Sequence, residues 1–152
     1  MRALFLSSML IFAGCAPSMA QAQPTNATEA PRSERPLVFV LTTGLEDAQS
    51  MSSVFRHARG AARDGRLNEV AIIVYGRAIQ AFDGTIQSRP AGLTESIRAA
   101  MDAGVKIYLC AQAMERMGIA HQALDPVPTE VVPNAITKLI DYVIRDAAVV
   151  RY

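Results

Sequence analysis

The chain has 152 residues, 51% of them hydrophobic and 19% charged, which suits one domain with a substantial core. Lys and Arg number 15 against 14 Asp and Glu, so no net field points to nucleic acid or an anionic membrane surface. Two histidines and two cysteines are too few and too scattered for a metal centre, and with no glycine-rich phosphate fingerprint, no Ser-His-Asp set and no paired carboxylates, no cofactor is implied.

Residues 1–20 read as a bacterial secretory leader rather than part of the fold. Arg2 supplies a positive start, Ala3 to Ala13 an apolar core too short for a stable membrane anchor, and Ser18-Met19-Ala20 a small-x-small cleavage site; Ala20-Gln21-Ala22 is a second candidate. The expected location is periplasmic or secreted. Phe12-Ala13-Gly14-Cys15 also resembles a lipobox, with Phe12 where leucine is usual, and lipidation at Cys15 would anchor the protein to the membrane. Cleavage after Ala20 removes Arg2 and Cys15, which balances the charges at 14 and 14 and leaves Cys110 as the single mature thiol, without an intramolecular disulfide partner.

Residues 21–35 contain Pro24 and Pro31 and no large apolar side chain, and are expected to form a flexible linker; Asn26-Ala27-Thr28 matches a glycosylation sequon. The domain is expected over residues 36–152. Leu37 to Leu41, LVFVL, is a continuous apolar run suited to a strand covered on both faces. Thr42-Thr43-Gly44 turns out of it, Glu46-Asp47 supplies negative charge at a helix start, and Met51, Val54, Phe55, Ala58, Ala61 and Ala62 recur at helical spacing up to Asp64-Gly65. Val70 to Tyr75 is a second buried strand, ended by Gly76-Arg77 and followed by a short helix over Ala78 to Phe82. Asp83 to Gly92 is a loop, and Leu93, Ile97, Ala100 and Met101 mark the next helix.

That helix stops at Gly104 and leads into Val105 to Gly118, VKIYLCAQAMERMG, a strand running into a helix with Cys110 at the junction. In open α/β sheets, ligands and chemistry collect outside the carboxyl ends of the strands, and a thiol facing a helix N-terminus is favoured as thiolate. The same position also suits a small packed hydrophobe, since free cysteine is among the most buried residue types. Beyond Gly118 come the Asp125-Pro126-Val127-Pro128 turn, a short strand at Glu130 to Val132, and a helix opened by Pro133-Asn134 with Ile136, Leu139, Ile140, Val143 and Ile144 on one face. Ala147 to Val150 supplies a fifth strand. Strands alternating with helices predict a three-layer α/β sandwich around a five-stranded, mainly parallel sheet.

The phrases LVFVLTTGLED, VAIIVYG, AGVKIYLC and LDPVPTEVVP, in this order from Leu37 onward, resemble the DsrE/DsrF-like family of small sulfur-relay proteins. The resemblance implies a flavodoxin-like strand order of 2-1-3-4-5, assembly into homotrimers or hexamers, and a persulfide-carrying cysteine after the third strand, here Cys110. It also implies a sulfur donor or acceptor protein as partner. Exported chains depart from the cytoplasmic setting of the family's relay proteins.

Around Cys110, the backbone N–H groups of Thr42, Thr43 and Gly44 would form an anion cradle if the first strand lies beside the cysteine strand, as the implied order has it; an ordinary turn is the alternative. Gly76 and Arg77 end the second strand at the same sheet edge, where Arg77 would attract a sulfur oxyanion or simply remain solvated. Gln112 and Met114 lie on the first turns of the helix after Cys110, and Met114 and Met117 also suit core filling. His57 and His121 read as surface histidines. Two functions from different classes follow: a sulfane-sulfur carrier working through Cys110, and a non-catalytic oligomeric module that binds a small anion or a protein. A third reading is an accessory subunit, active only with a partner.

Overall fold

The computed structural model describes residues 31–152. The leader, Cys15, the sequon and most of the linker lie outside the described residues. The Ser33 N–H donates to the Arg66 carbonyl at 2.7 Å. Arg35 then pairs with Asp146 at 2.9 Å.

Five parallel strands form one sheet: β1 (Leu37–Leu41), β2 (Val70–Val74), β3 (Lys106–Cys110), β4 (Glu130–Val132) and β5 (Ala148–Arg151). Their order across the sheet is β4-β3-β2-β1-β5. The first strand is interior and the chain changes direction of winding beside it, stepping outward from β1 to β4 before returning to place β5 on the far side of β1. The expected fold class, a parallel α/β sheet with helices on its faces, is the one observed.

The three central strands are almost wholly buried, with Val38, Leu41 and Ala71 to Val74 at 0% exposure. That burial accounts for their continuous apolar runs, because a strand covered on both faces has no position left for a polar residue. Side chains alternate between faces, and the helices divide accordingly. On one face, Phe39 packs against Tyr152, and Tyr152 against His57 of α1 (Ala48–Asp64). Helix α2 (Leu93–Asp102) lies beside α1 on this face, where Phe55 meets Phe82 edge to face at 6.2 Å. The register Val40↔Ile73↔Tyr108 defines the opposite face, and there Tyr108 meets Tyr142 of α4 (Ala135–Ile144) at 6.0 Å.

Local chemistry sets the helix ends. Asp47 caps α1 by accepting from the Ser50 N–H at 2.9 Å, and Gly65 ends it in the left-handed conformation at φ 75°. Asn134 caps α4, its side-chain oxygen accepting from the Ile136 and Thr137 N–H groups. Short α3 (Ala111–Met117) begins directly at Cys110 and ends at Gly118, φ 68°. A 3₁₀ helix over Gly76–Phe82 follows β2.

Helix α4 turns four of its five large aliphatic residues outward. Ile136, Ile140, Val143 and Ile144 are 47%, 52%, 55% and 78% exposed, whereas Ala135 and Tyr142 are buried. The inward face therefore reads Ala135, Lys138, Leu139, Tyr142. Lys138 takes part because its ammonium sits 4.2 Å from the centre of the Tyr108 ring, which lets a cation cover the sheet.

Candidate functional site

Two of the three layers meet the carboxyl end of the sheet at Cys110. β3 delivers this residue as its last, paired in register with Val132 of β4, and α3 turns away immediately after it. Gly76 makes the corresponding turn after β2; its φ of 62° favours a residue without a Cβ, and it sends Arg77 back over the strand ends. After β4, Pro133-Asn134 leads into α4. Three successive strand ends thus contribute to one place, because β2, β3 and β4 are neighbours in the sheet.

Between them lies a cavity of about 350 Å³ lined by Cys110 together with Tyr75, Gly76 and Arg77 from the β2 end, Gln112, Ala113, Arg116 and Met117 from α3, and Asn134, Ala135 and Ile136 from the α4 end. Cys110 is the free cysteine among the described residues and is 6% exposed. The wall is mainly apolar, and among the described residues no carboxylate lines it. Polar groups converge at its rim. The Asn134 amide donates to the Gln112 carbonyl oxygen at 3.2 Å, which ties the start of α4 to the start of α3.

The two rim cations differ. Arg77 is ion-paired with Glu46 at 2.7 Å, while Arg116 has no ion-pair partner among the described residues. Glu46 is itself held near the β1 turn, accepting from the Gly44 N–H at 3.3 Å. A side chain at position 44 would come within 3.0 Å of the Arg77 Cβ, so Gly44 permits the close approach of the two loops.

Of the residues singled out from the sequence, Cys110, Gly76, Arg77 and Gln112 come together around this cavity. Thr42, Thr43 and Gly44 do not line it, because β2 stands between β1 and β3. The Thr42 hydroxyl and N–H instead donate to the Tyr152 carbonyl, at 3.2 and 3.1 Å, and fasten β1 to the chain end. Met114 is buried in the core and Met117 is the methionine at the cavity. His121 is absent from the lining, and His57 pairs with the Tyr152 hydroxyl on the other face. Among the described residues no cluster of His, Cys, Asp or Glu could hold a metal ion.

From the sequence Asn134 and Ile136 are the start and face of a helix rather than site residues, and Arg116 has no assigned role. Asn134 carried a usable signal: it caps the helix after a strand, at the sheet edge where Cys110 also stands. Arg116 carried none, since a surface arginine late in a short helix is ordinary.

The opposite end of the sheet holds a second polar cluster. Glu69, just before β2, accepts a hydrogen bond from Tyr142 at 2.7 Å and pairs with Arg145 at 2.8 Å and Lys106 at 2.9 Å. Burial alone would raise this carboxyl, but its bonds from Arg145, Tyr142 and Lys106 outweigh burial and lower it to about 2. Burial first, then the neighbouring Tyr108 and Glu69, holds the Tyr142 hydroxyl far above its ordinary range.

Solved structures similar to this one include a protein of unknown function, MTH1491 from Methanobacterium thermoautotrophicum, at TM-score 0.64 and 12% identity over 78% of this chain and 100% of that one. The ychN protein from E. coli aligns at TM-score 0.63 and 15% identity over 79% and 100%, and a conserved protein of unknown function, BT1422 from Bacteroides thetaiotaomicron, at 0.60 and 16% over 77% and 94%. At these identities the likeness establishes the fold alone. No functionally curated protein matches the chain. A family model does match, over residues 36–152, which spans β1 to β5 and every residue of the cavity, and the chain belongs to the DsrE/DsrF-like family.

Proposed function

We propose that this protein carries sulfane sulfur as a persulfide on Cys110. One observation carries the reading: the free cysteine of the described domain lines a cavity at the carboxyl end of its strand, where α/β sheets place their chemistry. The role asks little of the surroundings beyond a reachable thiol, polar groups near it and no competing anion. Membership of a family with a sulfur-relay-type fold supports it. Intact-mass measurement before and after exposure to a sulfane-sulfur donor tests it. Wild-type protein gains one sulfur, removed by reductant, and Cys110→Ser gains none; equal gain by Cys110→Ser overturns the reading.

A non-catalytic binding module on the same fold is the second reading, favoured by the 6% exposure of Cys110. It predicts a Cys110 that stays unmodified by thiol reagents in the folded protein.

Export and self-assembly belong to the same proposal. Arg2, the apolar run to Ala13 and the Ala20 site support removal of a leader and a periplasmic location, which the N-terminal mass of protein recovered from the cell envelope checks. Homo-oligomerisation is supported by the outward aliphatic face of α4 and by exposed Val149 and Val150 on edge strand β5. The Ile140→Asp, Ile144→Asp double variant is expected to run as a monomer in light scattering where the wild type runs as an oligomer. A relay also needs a donor or acceptor, and a protein partner for the loaded Cys110 is part of this reading.

A further inference from the structure

The cavity at Cys110 constrains which donor it accepts. About 350 Å³ is roughly a dozen water volumes, far more than an inorganic sulfur oxyanion fills, and it falls in the range of sites for small organic molecules. Its apolar wall, from Tyr75, Ala113, Met117 and Ile136, would give such an oxyanion no compensation for lost hydration. An organic body, by contrast, gains from contact with it.

Charge selects further. Among the described residues no carboxylate lines the cavity, so none of them repels an anion there. Arg77 is already neutralised by Glu46, whereas Arg116 has no ion-pair partner among the described residues. One available guanidinium at the rim of an apolar cavity matches one carboxylate on an otherwise modest organic molecule.

We propose that the Cys110 cavity takes a low-molecular-weight organic persulfide bearing a carboxylate, with Arg116 holding the carboxylate and the apolar wall holding the body. This inference rests on Cys110 being the sulfur carrier. The Cys110 sulfur attacks the terminal sulfur of R–S–SH, a new S–S bond forms, the donor's own S–S bond breaks and the thiolate RS⁻ leaves. The leaving thiolate takes up the proton that Cys110 gives up, so the products are the Cys110 persulfide and the thiol RSH. No external oxidant or reductant is consumed, because the sulfane sulfur passes between two equivalent bonds.

The test compares three donors on the full protein, wild type and Arg116→Gln, by the rate at which Cys110 gains one sulfur in intact-mass spectra: N-acetylcysteine persulfide, the persulfide of its methyl ester, and inorganic tetrasulfide. Wild-type loading from the acid is expected to saturate and to be about five- to tenfold more efficient than from the ester. Arg116→Gln, a change at an exposed position, is expected to lower loading from the acid to the level of the ester and so remove that difference. Equal wild-type rates with acid and ester, or an Arg116→Gln variant that still prefers the acid, overturn the inference. So does loading from tetrasulfide but not from either organic donor, an outcome that leaves the carrier reading intact. Failure of every donor to load Cys110 overturns the carrier reading and this inference together.

Discussion

The two ends of the same sheet are built on opposite plans. At the amino end, Glu69 has a bonding partner on β3, at Lys106, and two on the α4 side, at Tyr142 and Arg145, so its charge is saturated by groups from distant parts of the chain. Around Cys110, at the carboxyl end, the Asn134 amide donates to Gln112, Arg116 has no ion-pair partner among the described residues, and a cavity remains open between them. The first arrangement fixes α4 over the sheet through Tyr108 and Tyr142, and the second leaves room for a visitor. A fold that is rigid at one end has an anchor against which a site at the other end can stay unfilled.

Breaking the saturated end is expected to have the larger effect. Glu69→Ala takes from a buried tyrosine hydroxyl its carboxylate acceptor, leaving only the longer 3.3 Å bond to Tyr108, and leaves two half-exposed cations without their counter-ion; it is expected to cost about 2–3 kcal/mol, read as a lower Tm. Its Cys110 should react with thiol reagents as in the wild type, because the cluster sits at the other end of β3.

Acid titration weakens the same end more gently. Glu69 is lowered from 4.5 to about 2 in the folded protein, so its contribution is fully present above the unfolded value and is lost as pH falls through the folded one. Lys106 and Arg145 are each 50% exposed, which screens the pairs and limits the effect to on the order of 2 kcal/mol. Urea unfolding between about pH 6 and about pH 2 should show wild type losing stability more steeply than Glu69→Gln. Parallel slopes would show that the cluster is not the anchor.

The smallest effect belongs to the open end. Gln112→Ala severs a solvent-exposed 3.2 Å bond and is expected to change stability by less than about 0.5 kcal/mol in the same unfolding assay. A loss as large as that from Glu69→Ala would abolish the contrast between the ends.

Much of this was legible in the chain itself. LVFVL and VAIIVY announce buried strands, Gly65, Gly104 and Gly118 fall where helices stop, and the Lys106–Cys110 strand places Cys110 at a junction with a helix, since these features depend on residues close in sequence. The candidate site was half legible. Gly76, Arg77, Cys110 and Gln112 follow from the rule that strand ends carry the chemistry, but the rule does not say which strand ends are neighbours. With β2 between β1 and β3, the Thr42–Gly44 turn serves the chain end at Tyr152 and the start of α4 completes the cavity instead.

Helix α4 marks the boundary most clearly. Its aliphatic spacing determined that it is an amphipathic helix, yet the tertiary structure chose the other face for the core, because Tyr142 reaches Glu69 across 73 positions and Arg145 reaches it across 76. Periodicity is a property of neighbours along a chain and was fixed by the sequence read locally. The side that meets the sheet was decided by partners brought together only when the chain had folded, and that decision left Ile136 at the cavity and Ile140, Val143 and Ile144 on the surface.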